Sequence, residues 1–420
     1  MLSELWLKWT RNWWFWVGIL ALFSLAILLA FWHGHQNQIF EKDFIHYYTT
    51  ALNFTKGEPL YFSTDKGLEF LFYPPFAACL FQFLTYIPPE TGATILSLLN
   101  LLVYPLIIFF LLRLMPDDLF QRKMILLLFP LLFSLRYFFA NFNNYQINAF
   151  TLLLVLWGLH AYQKEKYRVS SVLFSLAACI KIIPAIFMLW LFFRVPRFRI
   201  VIASFATVLL LFALPFPFRG FQQSLTDLHD FFIQVLHPYL LRQEVFTHYH
   251  NQSLSAAIGR LLMLSTDEST FTYNLINLPY SQATKIIAIA KGLLAFSFIA
   301  SMIYRIRKKI TFGLDEIALV FLFSHLFSAL TWKNHLVTMI VVLIPLFMIR
   351  FREQSKITKA LLVFLYFLLT ILSLNISYLV PDEVRFLIGG FSLYTLMMMI
   401  LYVVFTVRCF RERGPELNEH

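Results

Sequence analysis

Residues 93–113, ATILSLLNLLVYPLIIFFLLR, form an uncharged apolar stretch that ends on a basic residue, Arg113. A stretch of this length can cross a bilayer as an α-helix, because a crossing takes about 20 residues. Similar stretches recur along the whole chain, in which 59% of the 420 residues are hydrophobic and only 14% are charged. A soluble fold could not bury that much apolar surface. The sequence therefore predicts a single helical membrane unit over residues 1–420, with no separate soluble domain.

Basic clusters at the ends of the apolar stretches account for the net charge of +11. Cytoplasmic loops of membrane proteins carry an excess of Lys and Arg, so these clusters predict inner loops rather than a nucleic-acid surface. An uncleaved first helix at 13–31 then leads outward to a first outer loop at 32–92, and a second large outer loop spans 219–283. The clusters are Arg113/Arg122/Lys123, Lys164/Lys166/Arg168, Arg194/Arg197/Arg199, Arg305/Arg307/Lys308/Lys309, Arg350/Arg352/Lys356/Lys359 and Arg408/Arg411/Arg413.

The alternation of these clusters predicts an all-α polytopic membrane protein with about ten to twelve transmembrane helices, some of them half-length. Residues 70–87, interrupted by Tyr73-Pro74-Pro75, are expected to lie along the outer interface as short helices. Residues 169–193 have basic clusters on both sides, which leaves two interpretations. Either two half-length helices meet at Lys181 to Pro184 and open outward, or one ordinary span leaves a basic loop on the wrong side. The other predicted spans are 93–112, 124–139, 149–162, 200–218, 286–304, 315–330, 336–349, 360–378 and 387–407.

The first outer loop contains a candidate catalytic carboxylate, Asp43, within the run EKDFIHYY at 41–48. A short interfacial helix would hold Asp43 at the membrane surface, with the ring of Tyr47 one turn further on. A carboxylate in that position can act as a general base on a sugar hydroxyl, an effect worth about 10²–10⁴ in rate. The alternative is that Asp43 only caps the helix.

Further polar groups are predicted on the same outer face. The amides of NFNNYQIN at 141–148 suit the hydroxyls of a sugar, although amides also cap helices. Lys181 is a lone cation in an apolar run that suits an anionic lipid phosphate, and snorkelling to the surface is the alternative. His335, in the turn TWKNH at 331–335, could bind phosphate or tune the base. Arg136 and Arg219 are either phosphate ligands or interfacial anchors.

The histidines at 229–250 match no standard metal-site spacing, and no nucleotide-binding motif is present. We therefore expect neither a metal nor a cofactor. Whatever energy drives the reaction should arrive with the substrate.

Taken together, these motifs resemble glycosyltransferase family 87, polyprenyl-phosphate-sugar-dependent mannosyl- and arabinofuranosyltransferases of the GT-C class. The resemblance runs from about Asp43 to His335 and departs from the family at Tyr145, where the family usually has Gly. It is carried by Asp43-Phe44 with Tyr47-Tyr48, Gly57-Glu58-Pro59-Leu60-Tyr61, Tyr73-Pro74-Pro75-Phe76, Gln146-Ile147-Asn148, Lys181-Ile182-Ile183-Pro184, Asn251-Gln252-Ser253, and Trp332 with His335.

The resemblance implies a GT-C-type fold in a bacterial plasma membrane and a polyprenyl-phosphate sugar as donor. It also implies a lipid or glycan acceptor, inversion at the anomeric carbon without a required metal, and transfer on the periplasmic or extracellular side with Asp43 as base. A lipid or solute transporter or flippase is the alternative, and would show inverted repeats and several midplane charges. The predicted substrate-binding residues are Tyr47, Tyr48, Tyr73, Arg136, Asn144, Gln146, Asn148, Lys181, Arg219, Asn251, Gln252, Trp332 and His335.

Overall fold

The structure is a computed structural model that is almost entirely helical. It describes residues 39–61, 63–64, 67–68, 73–116, 123–240, 244–264, 274–349, 355–374 and 380–412, together with positions 25, 28, 29, 32 and 35. The α-helices are α1 Phe44–Lys56, α2 Pro75–Phe81, α3 Pro89–Leu114, α4 Lys123–Asn143, α5 Asn148–Gln163, α6 Tyr167–Ile180, α7 Ala185–Arg194, α8 Phe198–Ala213, α9 Phe216–Arg219, α10 Phe221–Asp230, α11 His237–Leu240, α12 Leu254–Leu262, α13 Tyr280–Arg307, α14 Leu314–Phe327, α15 Met339–Phe347, α16 Lys356–Leu374, α17 Asp382–Gly390 and α18 Leu393–Arg411.

Shorter elements complete the described chain. Strands β1 Ser63–Thr64 and β2 Gly67–Leu68 form a small antiparallel hairpin in the first loop. Three 3₁₀ turns cover Ile39–Glu41, Gln82–Tyr86 and Lys333–Thr338, and a π-helical turn covers Phe231–Leu236.

Six helical segments in the described residues are long and apolar enough to cross a membrane. The predicted all-α polytopic membrane fold is therefore confirmed. The predicted first helix at 13–31 lies outside the described residues, except for three single positions. Shorter apolar helices cover Pro75–Tyr86, Tyr167–Ile180, Ala185–Arg194 and Lys333–Phe347. The six long segments are Pro89–Leu114, Leu126–Asn143, Phe198–Arg219, Tyr280–Arg307, Lys356–Leu374 and Leu393–Arg411.

The segment 167–194 is a re-entrant pair of half-length helices. Lys181 is extended between α6 and α7, and Pro184 prevents one continuous helix because it has no backbone donor and restricts the residue before it. The two ends of the pair that are remote from Lys181 meet again, since the guanidinium of Arg197 lies 5.5 Å from the ring centre of Tyr167. Of the two interpretations of this segment, the structure shows the half-helix pair, with Lys181 at its apex.

The predicted span 387–407 is divided in the structure. Helix α17 ends at Gly390, and α18 begins at Leu393 after a left-handed residue, Ser392, with φ 57°. The backbone passes close to a neighbouring loop here, because a Cβ on Gly389 would lie 2.7 Å from the carbonyl oxygen of Tyr249. Close approach of two backbones therefore turns the chain where apolar composition alone predicted a continuous helix.

The centre of the molecule consists of α14 and α15. Every residue of Leu314–Leu326 and Met339–Leu346 is buried. Helices that are apolar on all sides occupy the core of a larger assembly. The turn at 328–338 therefore connects the two most buried helices of the fold. We call the end of the bundle where this turn lies the site end.

A buried ion network lies at the opposite end of α14. The carboxylate of Glu316 accepts hydrogen bonds from Trp190 Nε1 at 2.6 Å, Arg194 Nε at 2.7 Å and Arg305 Nε at 2.7 Å. Arg408 Nε donates to Asp315 at 2.8 Å. These contacts join α7, α13, α14 and α18 at one point.

Candidate active site

Asp43 lies immediately before α1 in the N-cap position, but its side chain makes no capping hydrogen bond. Instead, the amide Nε2 of Gln146 donates to its Oδ2. The carboxylate is half-buried, so it remains accessible from one side. The capping alternative is therefore not what the structure shows, and Asp43 faces the amide cluster.

Gln146 connects Asp43 to the buried polar side chains behind it. Its Oε1 accepts from Tyr47 OH at 3.3 Å, Tyr73 OH at 3.4 Å, Asn148 Nδ2 at 3.2 Å and Lys181 Nζ at 3.5 Å. A carbonyl oxygen has two lone pairs, so four donors share it, which is consistent with these long distances. We refer to Asp43, Tyr47, Tyr73, Gln146, Asn148 and Lys181 as the polar network.

Lys181 is held at the apex of the half-helix pair by neutral acceptors. Its Nζ donates to Tyr73 OH at 3.2 Å and to Asn148 Oδ1, and it lies 5.0 Å from the centre of the Tyr73 ring. The residue is 7% exposed, and no ion pair to it is found among the described residues. A buried ammonium held by neutral acceptors is a candidate functional group, since charges inside a membrane protein are rarely kept without a role.

A cavity of about 30 Å³ adjoins the polar network. Lys181 and Asn148 line it together with His325 and His335. It can hold a water molecule or two but is far smaller than the roughly 300–1,000 Å³ of a ligand pocket. A ligand larger than water therefore has to approach from the accessible side of Asp43 rather than occupy this cavity.

The 331–335 turn adjoins the network through Asn334. Asn144 Nδ2 donates to Asn334 Oδ1 at 3.3 Å, and Asn148 Nδ2 donates to the Asn334 carbonyl at 3.0 Å. His335 Nδ1 accepts from the backbone N–H of Trp332 at 3.3 Å, which fixes the imidazole within the turn. The loop before α1, the start of α5 and this turn thus meet at the site end.

Aromatic rings flank the turn on its accessible side. Trp332 lies 6.0 Å from the ring of His248 and 5.9 Å from that of His250. Tyr48 is partly exposed and stacks on Phe44 at 6.0 Å. These side chains surround the network without joining its hydrogen bonds in the described residues.

Asn251 and Gln252 are fully buried and hold backbone segments together. Asn251 Nδ2 donates to the carbonyls of Phe246 and Ala329, both at 2.9 Å, and its Oδ1 accepts from the N–H of Thr331 at 2.9 Å. Gln252 Nε2 donates to the carbonyls of Tyr249 and Gly389 at 2.7 and 3.0 Å. Asn251 thus positions the 331–335 turn, and Gln252 joins the loop at Tyr249 to the end of α17, so both amides use groups that the sequence assigned to substrate.

Arg219 is engaged by the protein itself. Its Nε and one terminal nitrogen donate to Asp227 at 2.9 Å, and its terminal nitrogens also donate to the carbonyls of Asn53 and Glu58 at 2.8 Å. A guanidinium has five donors in a planar fork, and this arrangement occupies them with the end of α1 and with α10. Arg219 thus has the contacts of an anchor and not those of a free phosphate ligand.

Two neighbours of the site were not among the predicted residues. Asn334 connects the turn to α5, and His325 lines the cavity, with its Nε2 2.6 Å from Thr338 Oγ1. Asn334 stands within the predicted TWKNH turn and could have been included on that ground. His325 lies among apolar residues near the end of α14, with Ser324 as its only polar neighbour in the sequence there, and gave only a weak signal of a site.

Comparison with known protein families matches residues 70–329 to the family described as glycosyltransferase family 87. The matched region covers more than half of the chain and contains the amide cluster and Lys181, whereas Asp43 precedes it and His335 follows it. Neither a curated protein nor a solved structure matches the chain.

Proposed function

Since this chain belongs to glycosyltransferase family 87, we propose that it transfers a sugar from a polyprenyl-phosphate donor to a lipid or glycan acceptor, with Asp43 as the general base. The sugar is mannose, an arabinofuranose or a similar residue. Transfer takes place on the outer face of a bacterial plasma membrane. A donor with an isoprenoid tail suits a multi-pass membrane glycosyltransferase, because the tail stays in the bilayer while the sugar reaches the helix ends.

The observation that carries the proposal is the position of Asp43. Its carboxylate is half-buried, accepts a hydrogen bond from Gln146, and stands at the open side of a network that contains Lys181. A general base must be held still and must also reach the proton that it removes. Asp43 combines both properties, because one oxygen is tied to Gln146 while the residue remains accessible.

The reaction that fits this geometry is a direct displacement. The acceptor hydroxyl gives its proton to Asp43 while its oxygen forms a bond to the anomeric carbon. The bond between that carbon and the phosphate oxygen breaks, and polyprenyl phosphate leaves with the electron pair. Attack from the face opposite the phosphate inverts the anomeric configuration. The partly exposed amide of Asn144 orients the sugar hydroxyls, while Asn148 holds Lys181 and the 331–335 turn in position.

The proposal is tested by a transfer assay with the purified full-length protein. Radiolabelled polyprenyl-phosphate sugars are incubated with a membrane lipid extract, and Asp43→Asn is compared with the wild type. We expect transfer from at least one donor, and a loss of about 10²-fold or more in Asp43→Asn. Glu41→Gln is the matched control, since Glu41 is an exposed carboxylate two residues away and should transfer at the wild-type rate.

Each outcome decides one part of the proposal. Equal transfer by Asp43→Asn and wild type removes Asp43 as the base. Transfer from nucleotide sugars in place of polyprenyl-phosphate sugars contradicts the donor class. Retention of the anomeric configuration in the product contradicts the single displacement.

A further inference from the structure

Three basic side chains from different elements come together beside the polar network. Arg136 is on α4, Lys333 is in the 331–335 turn and Arg385 is on α17. The guanidinium carbon of Arg136 lies 5.4 Å from the centre of the Tyr394 ring, and Lys333 Nζ lies 5.7 Å from the same centre. We call these three residues the basic cluster.

The positive charge of the cluster affects the pKa of a neighbouring loop residue, His250. Burial, followed by the charges of Lys333, His248, Arg385 and Arg136, lowers the pKa of His250 to about 3. The imidazole is therefore neutral at physiological pH and adds no charge of its own. The charges of all three residues lower the pKa of this one imidazole, and Arg136 and Lys333 also meet at the Tyr394 ring.

The basic cluster is largely unpaired within the described residues. Arg136 is 9% exposed, donates to the carbonyl of Leu372 at 2.9 Å, and has a buried Nε without a hydrogen-bond partner. Lys333 Nζ makes no hydrogen bond or ion pair in the described part of the chain. Arg385 pairs with Asp382, which is three residues earlier, and its Nε is also unsatisfied.

Such an arrangement is unfavourable without an anion. Like charges repel, and a buried donor without a partner loses the hydrogen bonds it would make in water. Among the described residues, Asp382 is the one carboxylate that forms an ion pair with a member of the cluster. Guanidinium groups form charge-assisted bonds with phosphate oxygens, so a phosphate would satisfy the free donors and balance the charge together.

We propose that the basic cluster binds the phosphate group of the lipid-linked donor and of the polyprenyl phosphate that leaves. This inference rests on the proposed function. It places the phosphate at the basic cluster and not at Lys181 in the polar network. Lys181 already donates to Tyr73, Gln146 and Asn148, so its three donors are engaged. Its role is then to hold the network, and the phosphate is held by Arg136, Lys333 and Arg385.

The location of the cluster fits a lipid with its headgroup at the membrane surface. Arg136 is near the end of α4, Leu372 is near the end of α16, and Tyr394 is at the start of α18, all at the site end. Lys333 is one residue from Asn334, whose carbonyl accepts from Asn148. A phosphate at the cluster is therefore adjacent to the turn that contacts the network through Asn334, and the attached sugar can reach the network while the tail stays among the membrane helices.

A binding experiment tests the inference without requiring turnover. The probe is a long-chain polyprenyl monophosphate, titrated against the purified full-length protein in detergent and followed by thermophoresis. We expect Lys333→Gln and Arg136→Gln to weaken binding by about tenfold or more, as the loss of a charge-assisted hydrogen bond does. Lys333→Gln removes no described hydrogen bond or ion pair, only the contact with the Tyr394 ring, so it should remain folded, and a thermal unfolding scan verifies this.

Matched variants separate the anion site from the chemistry. Lys56→Gln removes an exposed cation at the end of α1 and should bind the probe as the wild type does. Asp43→Asn should also bind normally although it fails in transfer. Probe binding that depends on Lys333 in a protein without transferase activity would support the anion site and reject the proposed function.

Competition identifies the source of the phosphate. Excess phosphatidylglycerol and excess inorganic phosphate are each added to the bound probe, and we expect neither to displace it efficiently. Displacement by phosphatidylglycerol at the concentration at which unlabelled probe displaces would make this a general phospholipid site and overturn the proposal. Unchanged probe binding in both Lys333→Gln and Arg136→Gln would overturn it as well.

Discussion

At the scale of single residues, the geometry of the site depends on Gln146. Its amide joins Asp43 to Tyr47, Tyr73 and Lys181, so one side chain both fixes the proposed base and receives the donors behind it. We predict that Gln146→Leu, which keeps a similar size but removes both functions, lowers kcat by about 10²-fold, because a small displacement of a catalytic group has an effect of that order.

The measurement is a full rate curve that separates kcat from KM. We expect KM to change less than about threefold, since Gln146 acts on the base rather than on substrate binding. Gln222→Leu, an exposed amide on α10, is the control and should leave both constants unchanged. A fall in stability with an unaltered kcat would show that Gln146 is only a packing residue.

The sequence could identify the polar residues of the site but not their partners. Asp43, Gln146 and Lys181 are polar residues in or beside apolar stretches, which the sequence alone shows. Arg219 looked similar, yet its partner Asp227 lies beyond a break at Gly220, with φ 75°, that brings α10 back to it. Whether a cation is free or paired depends on whether such a turn brings a carboxylate to it. Composition alone does not predict this.

Tyr145 shows the same limit in its backbone. It adopts φ 54°, a left-handed conformation that glycine enters without strain, which gives a physical reason for the family's usual Gly. Here the ring packs 5.6 Å from that of Phe44, next to Asp43. The departure from the family pattern therefore preserves the turn and adds a contact to the start of α1.

At the scale of elements, α5 and α6 pack so closely that they require a glycine. A Cβ on Gly158 would lie 2.4 Å from a ring carbon of Phe174, and Ser170 Oγ donates to the Gly158 carbonyl at 2.6 Å. We predict that Gly158→Ala destabilises the protein by about 1–3 kcal/mol, as overpacking does, and lowers the Tm measured in detergent. Gly292→Ala on α13 is the control, because no atom lies within 4 Å of that added Cβ. An equal Tm in the two variants would contradict the close packing.

The ion network around Glu316 stabilises the end of the bundle opposite the site. Glu316→Gln would leave the buried guanidiniums of Arg194 and Arg305 without their shared carboxylate, and removing one partner of a buried pair costs about 3–5 kcal/mol. We therefore predict a clearly lower Tm with transfer retained at low temperature. Glu383→Gln, an exposed carboxylate on α17, should change neither property. A strong loss of transfer in a stable Glu316→Gln protein would instead place the network in the reaction.

Charge patterning predicted most of the helices, and it also indicated the exception. Basic residues on both sides of 169–193 required either a reversal or a violation of the charge rule, and the contact between Arg197 and Tyr167 shows the reversal. The division of 387–407 into α17 and α18 was not predictable, because it results from contact between Gly389 and Tyr249, which are far apart in sequence.

At the scale of the whole molecule, the two ends of the bundle differ in kind. One end holds a charge-balanced network in which the carboxylates of Glu316, Asp315 and Glu412 meet the guanidiniums of Arg194, Arg305 and Arg408. The site end holds the polar network and the basic cluster, in which positive charge exceeds negative charge. This asymmetry suits a protein whose anionic substrate approaches from one side of the membrane only.

The assignment of these ends to the two sides of the membrane is open to a direct experiment. In a variant whose Cys79, Cys179 and Cys409 are replaced by Ser, single cysteines are introduced at exposed positions and treated with a membrane-impermeant maleimide in intact cells. We predict that Lys56→Cys and Glu383→Cys, at the site end, react in intact cells. Lys166→Cys and Lys308→Cys, in the basic loops, should react only after permeabilisation, because such loops face the cytoplasm. The reverse pattern would place the site in the cytoplasm and reject transfer on the outer face, whereas labelling of Lys56→Cys and Lys166→Cys from the same side would contradict the arrangement of the spans between them.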